Sequence, residues 1–425
     1  LARNREDDSY QSALSNPALL HARYKNGARH NEPSPCGGVA RAFRSIYVEG
    51  PGSTRGQGDD MTGYAFGQGA TGVEARVLWG FRQVLLQIGL MGGPPALRKV
   101  VLDVFGFSRG AAAARHFVNS IRARQAVYDP WGPGDHVERL PAGLQVEIRF
   151  LGIFDTVAAI GDPADDDNDP VNVHLKTAQV TRRIYHLTAG DEYRRNFRLN
   201  RNVPGGGATL ELPGAHSDVG GGYRDVGDRA PLGPITRRSF DSRAEAEAAQ
   251  AATRRADLAP GAHSAAEAVS VREGWIRPNE PMGGIVRHMS PIREAPVTVR
   301  YGLKTATRMR YAYDEQLSLD RPWVQPGLSR IALHMMHEAA VAHVEGAFLD
   351  LPTGNANYIV PPGLRPYEAA IRSGRLTGPA RAAVLRGFGH VSMKDGAPLG
   401  ADRVGHQPET GRRRVEYPNQ PGRAV

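Results

Sequence analysis

Apolar residues fall along the chain in two patterns. Mostly apolar runs lie at 100–105 (Val100, Val101, Leu102, Val104, Phe105) and at 146–154 (VEIRFLGIF), with short candidate strands at 184–188 and 209–212. These read as strands. Helical spacing appears at 73–90, where Val73, Val77, Leu78, Phe81, Val84, Leu85 and Ile88 share a face, and again at 111–124 and 328–343. Strands alternating with helices predict an α/β fold with a mostly parallel central sheet flanked by helices. Chemistry is then expected at the carboxyl ends of the strands. Residues 1–45 read as polar and loop-like, and 45–72 as glycine-rich with a short strand at 46–50. From about 227 to 326 the pattern changes to an Ala/Glu/Arg helix (243–255), an Ala/Ser linker and a Pro-rich stretch with few apolar anchors. The expected organisation is a first core segment (1–227), a helical and loop insertion with a possible lid or membrane-facing role (228–326), and a return to the core (327–425).

The first strand runs into Gly106-Phe107-Ser108-Arg109-Gly110, and an Ala-rich helix follows at once. Strand, GxSxG, helix is the layout of a nucleophile elbow, in which a sharp turn exposes a serine at the sheet edge. Gly106 and Gly110 are expected to tolerate the crowding of helix start against strand. The bland alternative is a serine that only caps the helix. If Ser108 is a nucleophile, it needs a base and an orienting carboxylate.

Asp155 follows the second apolar strand directly, which suits the acid; a helix N-cap would also place Asp there. His216, in LPGAHSDVGGGY, follows a short apolar strand and enters a loop that reads as too glycine-rich for a helix. The chain order Ser108, Asp155, His216 is that of α/β-hydrolases. Asp218 is a rival acid or a loop brace, and His390 in GFGHVSM a rival base. His334 and His337 read as packed or surface residues of the 328–343 helix. Asp162, Asp165, Asp166, Asp167 and Asp169 cluster, but without the glycine and terminal glutamate of an EF-hand they read as a solvated loop rather than a calcium site.

Composition adds limits. The chain has 425 residues, 40% of them hydrophobic, and no apolar run of the ~18–20 residues a membrane span needs. One cysteine, Cys36, excludes an internal disulfide. No signal peptide is visible. The net charge of +9 comes almost wholly from arginine, which favours phosphate-bearing partners. Zinc-finger spacing and RNA-binding signatures are missing, so anionic lipid is expected rather than nucleic acid. No metal or cofactor is expected.

Taken together, GFSRGAAAAR, FLGIFDTVAAIG and LPGAHSDVGGGY resemble the α/β-hydrolase domain of the Tle family of type VI secretion phospholipase effectors. The segment 47–76, the 328–343 helix and the closing RRVEYPN are similar to that family as well. The resemblance implies Ser108 as nucleophile, Asp155 as acid and His216 as base. It also implies A-type acyl cleavage of glycerophospholipids, secretion into a rival's periplasm, a spike or adaptor partner and a cognate immunity protein. Members usually open with an apolar strand ending in an FDGTxN-like turn, expected to help form the oxyanion hole. Here Leu1 to Asp7 looks like the sequence just after that turn. The backbone N–H of Arg109 is then the oxyanion donor within this sequence, and losing the other donor typically costs ~10²–10³ in rate. Two other readings stand beside this one. One is a soluble carboxylesterase or acyltransferase, the other a non-enzymatic module binding a secretion spike or adaptor.

Overall fold

The computed structural model describes residues 13–27, 29–32, 39–52, 71–128, 136–160, 173–177, 181–203, 205–223, 226–280, 283–301, 304–393 and 407–419. Its centre is a four-stranded sheet of β1 (Lys99–Phe107), β2 (Gln145–Phe154), β3 (Thr181–Ala189) and β4 (Ala208–Leu212), adjacent in that order. All three pairings are parallel. Both faces are covered, which is why these strands read as apolar runs rather than as alternating ones. On one face lie the helices Val73–Leu90 and Arg109–Arg122, with Phe81, Val84, Val118 and Ile121 packed against Ile148, Leu151 and Ile153. On the other, Leu328–Val341 sets Ile331, Leu333 and Met336 against Phe150, Phe154 and Leu187.

β2 carries one extra residue where Leu102 and Asp103 of β1 face Ile148 and Phe150. Such a bulge leaves one side chain out of the ladder. Here it is Arg149, which forks onto Asp103 at 3.0 and 2.7 Å, while the Tyr24 hydroxyl donates to the same carboxylate at 2.7 Å. The other edge of β1 pairs with no strand among the described residues. A cavity of about 330 Å³ follows it from Val101 to Phe107, lined also by Tyr24, Tyr47, Phe117 and Phe348.

Four local expectations change. The N-terminal segment read as loop contains the helix Asn16–His21, whose Leu19 and Leu20 are buried. The Asn16 amide donates to Val219 O and Ser329 O, at 2.8 and 3.0 Å. Residues 46–50 form no strand, and no strand among the described residues pairs with them. At the elbow, a methyl group on Gly106 would overlap the Gly110 carbonyl and Ala111 Cα, whereas one on Gly110 would meet nothing within 4 Å. Close approach therefore demands glycine only at Gly106.

The fourth concerns the stretch after 227. Besides the helices Arg243–Asp257 and Ser264–Arg272 it builds an antiparallel sheet. In this sheet β5 (Asp228–Pro231), β6 (Thr236–Phe240), β7 (Gly284–Met289) and β8 (Arg293–Tyr301) all pair with the 18-residue β9 (Lys304–Arg321). The root of this sheet is anchored. Trp275, Ile276 and Leu319 pack with Leu385, Val391 and Met393, and buried Arg321 pairs with Asp228 and donates to the carbonyls of Leu385 and Gly389. Its tip differs, with 293–298 of β8 and 305–309 of β9 exposed along both faces of the ribbon. A ribbon with neither face buried has little apolar contrast, so its strands left no pattern to read. No helix among the described residues is long and apolar enough to cross a membrane.

Candidate active site

Ser108 stands between the end of β1 and the helix Arg109–Arg122, at φ 60° and ψ −131°. Positive φ is uncommon for a residue with a Cβ and is held here by the surroundings. The Ser108 N–H donates to Phe154 O at 3.1 Å, and its carbonyl accepts from Ala111 N–H at 2.9 Å. The side chain makes no capping hydrogen bond, which counts against the helix-cap reading. Arg109 opens the helix, at the positive end of its dipole.

Asp155 ends β2 one strand over, also at positive φ (41°) and fully buried. No helix follows it through Ile160, so it caps none. Its N–H donates to Leu187 O at 2.7 Å, tying it to β3. His216 sits beyond β4. Contrary to the sequence reading, it begins a short helix, His216–Gly220. Asp218 starts that helix by accepting the Ala215 N–H at 2.9 Å, the work of an N3 acid in a capping box. Gly220 leaves room for the Phe107 ring, which an added methyl would overlap.

The structure brings Asp155 and His216 together: Nδ1 of the imidazole lies 2.5 Å from Asp155 Oδ2. The imidazole is walled by Phe107 at 4.4 Å and Phe197 at 4.9 Å between ring centroids. Phe107 directly precedes Ser108, so the histidine packs against the elbow itself. The hydrogen bonds of His216 run to Asp155 and, through its N–H, to Glu192 at 3.2 Å, rather than to the Ser108 hydroxyl. Catalytic hydrogen bonds are often loose before substrate binds. With Nδ1 on the carboxylate, Nε2 on the far side of the ring is the nitrogen able to take a proton.

Burial lowers the His216 pKa below its ordinary value, an effect the Asp155 hydrogen bond and charge oppose. Burial alone would raise the Asp155 pKa; the Arg414 charge, then the His216 hydrogen bond, outweigh it and hold this carboxyl well below the usual range. The resting state is thus a carboxylate against a neutral imidazole.

Asp218 and His390, the rival acid and base, are partnered with each other instead. His390 Nδ1 lies 2.7 Å from Asp218 Oδ1, and the His390 N–H donates to Oδ2 at 2.8 Å. Tyr223 stacks on the His390 ring at 3.7 Å between centroids. This second carboxylate–imidazole pair secures the short helix that carries His216. His334 and His337 hydrogen bond to the carbonyls of Tyr358 and Leu349 and are packed residues. The acidic cluster at 162–169, Cys36 and most of the glycine-rich segment lie outside the described residues. Among those described, no three His, Cys, Asp or Glu side chains are grouped to hold a metal ion.

Two site residues escaped the sequence reading. Glu192 is fully buried, accepts the His216 N–H and the Ser392 hydroxyl (2.8 Å), and pairs with Arg194. Burial would raise its pKa, but the Arg194 charge prevails and brings it down to about 2. Arg414 forks onto Asp155 from the C-terminal segment, at 2.6 and 2.8 Å. The only signal for it was its place in the RRVEYPN stretch.

Fold and site together define an α/β-hydrolase-like protein with a serine elbow beside a buried carboxylate–imidazole pair. Residues 134–240, which include Asp155 and His216, match the family model described as the catalytic domain of the Tle1-like type VI secretion phospholipase effectors. The match agrees with the family resemblance and spans the Asp155 and His216 segments, while the GFSRG elbow lies outside it. The fold is similar to that of a Tle1 effector solved bound to the VgrG spike of a type 6 secretion system. That likeness has a TM-score of 0.58 and 22% identity, over 96% of this chain and 83% of that one. An uncharacterized protein from Pseudomonas aeruginosa shares 34% identity over 36% of this chain and 23% of its own, at a TM-score of 0.21. No curated protein matches the chain.

Proposed function

We propose that this protein is a serine-dependent phospholipase A, an antibacterial effector of a type VI secretion system. The observation that carries the reading is the Asp155–His216 pair at 2.5 Å, packed through Phe107 against the Ser108 elbow. Ser108 Oγ attacks the acyl ester carbonyl while His216 Nε2 takes its proton. The Arg109 N–H donates to the developing oxyanion. Collapse expels the lysophospholipid alcohol, which receives the proton from His216. Water, deprotonated by the same imidazole, then releases the fatty acid from the acyl-enzyme. Asp155 holds the tautomer and supports the imidazolium. Delivery to the target periplasm, a secretion-spike or adaptor partner and a cognate immunity protein belong to the same proposal.

The test compares fatty-acid release from phospholipid vesicles with hydrolysis of short-chain monomeric esters. Vesicle hydrolysis is expected to dominate. Turnover of monomeric esters alone would indicate a soluble carboxylesterase, and no turnover of either would end the serine-hydrolase reading. The pH profile is part of the expectation. The base works only when neutral, and His216 titrates below its ordinary 6.5. Activity should hold at pH 6.5 and fall only as the pH drops further; an acid limb centred above 6.5 contradicts this assignment.

Within the same proposal, the 228–326 stretch meets the bilayer through the ribbon of β8 and β9. Its exposed residues include Arg293, Arg308, Val297 and Met309. Each cation near an anionic surface contributes about 1 kcal/mol. Arg293→Gln with Arg308→Gln should therefore weaken binding to vesicles rich in anionic lipid by roughly tenfold or more in a co-sedimentation assay. Unchanged binding would remove the ribbon from the membrane contact.

A further inference from the structure

Asp155 has more partners than a triad acid requires. Its Oδ1 accepts the Ala189 N–H at 2.9 Å and Arg414 Nη1 at 2.6 Å; its Oδ2 accepts Arg414 Nη2 at 2.8 Å and the imidazole Nδ1 at 2.5 Å. A carboxylate has about four acceptor positions, so this one is saturated and cannot turn without breaking a bond. The arginine is fixed in its turn. Its side chain is 7% exposed, and it donates to Ala189 O at 3.1 Å and Phe197 O at 2.8 Å. Phe197 also forms one wall around the imidazole, so one guanidinium braces both the acid and the packing of the base. Arg414 comes from the far end of the chain. Its segment is held by a two-residue parallel pairing of Glu416–Tyr417 with Leu199–Asn200.

We propose that Arg414 is a positioning residue of the hydrolytic site. Its fork aims Asp155 Oδ2 at His216, and its charge offsets part of the carboxylate's charge beside the imidazole. The inference rests on the serine-hydrolase reading above.

A buried carboxylate raises the pKa of a neighbouring imidazole and so favours its protonated form, which is inactive as a base. Burial keeps His216 neutral at rest against the pull of the carboxylate, and the guanidinium forked onto that carboxylate offsets part of the pull. The other charged groups near the imidazole are Glu192 with its partner Arg194 on the 190s segment. The Asp218–His390 pair lies on and against its own helix. Behind Asp155 lies His186, buried and held neutral with its pKa down at about 3, chiefly by desolvation. With Glu192 offset by Arg194, Arg414 is the cation bonded directly to the acid.

Two substitutions separate aim from charge. Arg414→Gln removes the charge and half the fork; Arg414→Lys keeps the charge and removes the fork. Both are assayed on the full chain with a soluble short-chain ester, and the His216 imidazole titration is followed by NMR. In Arg414→Gln, kcat should fall about 100-fold, the loss expected of a misplaced catalytic group, with KM little changed. Its acid limb and the imidazole titration should both move up by about one pH unit. In Arg414→Lys, kcat should fall while the acid limb stays where it is in the unmodified protein. A folded Arg414→Gln variant with unaltered kcat and imidazole titration overturns the proposal. If Arg414→Gln does not fold, the lysine variant decides, and an unaltered kcat there overturns it. An unmodified protein inactive on every ester is a different result, because it defeats the underlying hydrolase reading.

Discussion

Ser108→Ala should abolish ester hydrolysis, lowering kcat by roughly 10⁴–10⁶-fold, the range expected when a triad nucleophile is removed. It should do so with almost no change in stability. The Ser108 hydroxyl makes no capping bond, and alanine meets the same backbone strain at φ 60° that serine already bears. The backbone bonds that hold the turn, from Ser108 N–H to Phe154 O and from Ala111 N–H to Ser108 O, do not involve the side chain. Covalent labelling by a fluorophosphonate, which reports an activated serine directly, should vanish in parallel. A well-folded variant that keeps more than about a hundredth of the activity would exclude Ser108 as nucleophile, since nothing near that survives loss of a triad member.

Asp155→Asn should be the next most damaging change, and for two separable reasons. The amide cannot accept both from His216 Nδ1 and from the Arg414 fork. One of its N–H groups must face a donor, or impose the wrong imidazole tautomer, and that error costs about 10⁴-fold in kcat in a comparable triad. The second reason is energetic. Arg414 is buried, and breaking a buried ion pair by deleting one partner typically costs about 3–5 kcal/mol. Chemical denaturation should show that loss. Adding Arg414→Met should recover part of the stability, because the orphaned charge is gone, while activity stays lost. If Asp155→Asn proved as stable as the parent, the guanidinium would have to be relieved by other groups, and its assigned place in the site would fall.

Much of the core could be read locally. β1 and β2 announced themselves because a strand covered on both faces must be apolar nearly throughout, and the helices Val73–Leu90 and Leu328–Val341 because each buries one stripe. Ser108, Asp155 and His216 were visible for a related reason. The carboxyl ends of parallel strands converge on one edge, so polar residues just past three such runs become neighbours. The five-residue helix at His216 was not visible, being shorter than a helical period can register. Its start depends on Asp218, which serves as a cap and as the partner of His390.

By itself, then, the amino-acid sequence determined the parallel sheet, its covering helices, the elbow and the three strand-end residues, because apolar periodicity and turn chemistry act over a few neighbouring positions. Only the tertiary structure decided who pairs with whom. It set Asp218 against His390, 172 residues apart, Arg414 on Asp155, 259 residues apart, and Glu192 beneath His216. These choices depend on which charged side chains are buried together. No local pattern separates Arg414 from the other arginines of so basic a chain, because what distinguishes it is the carboxylate its fork meets after folding.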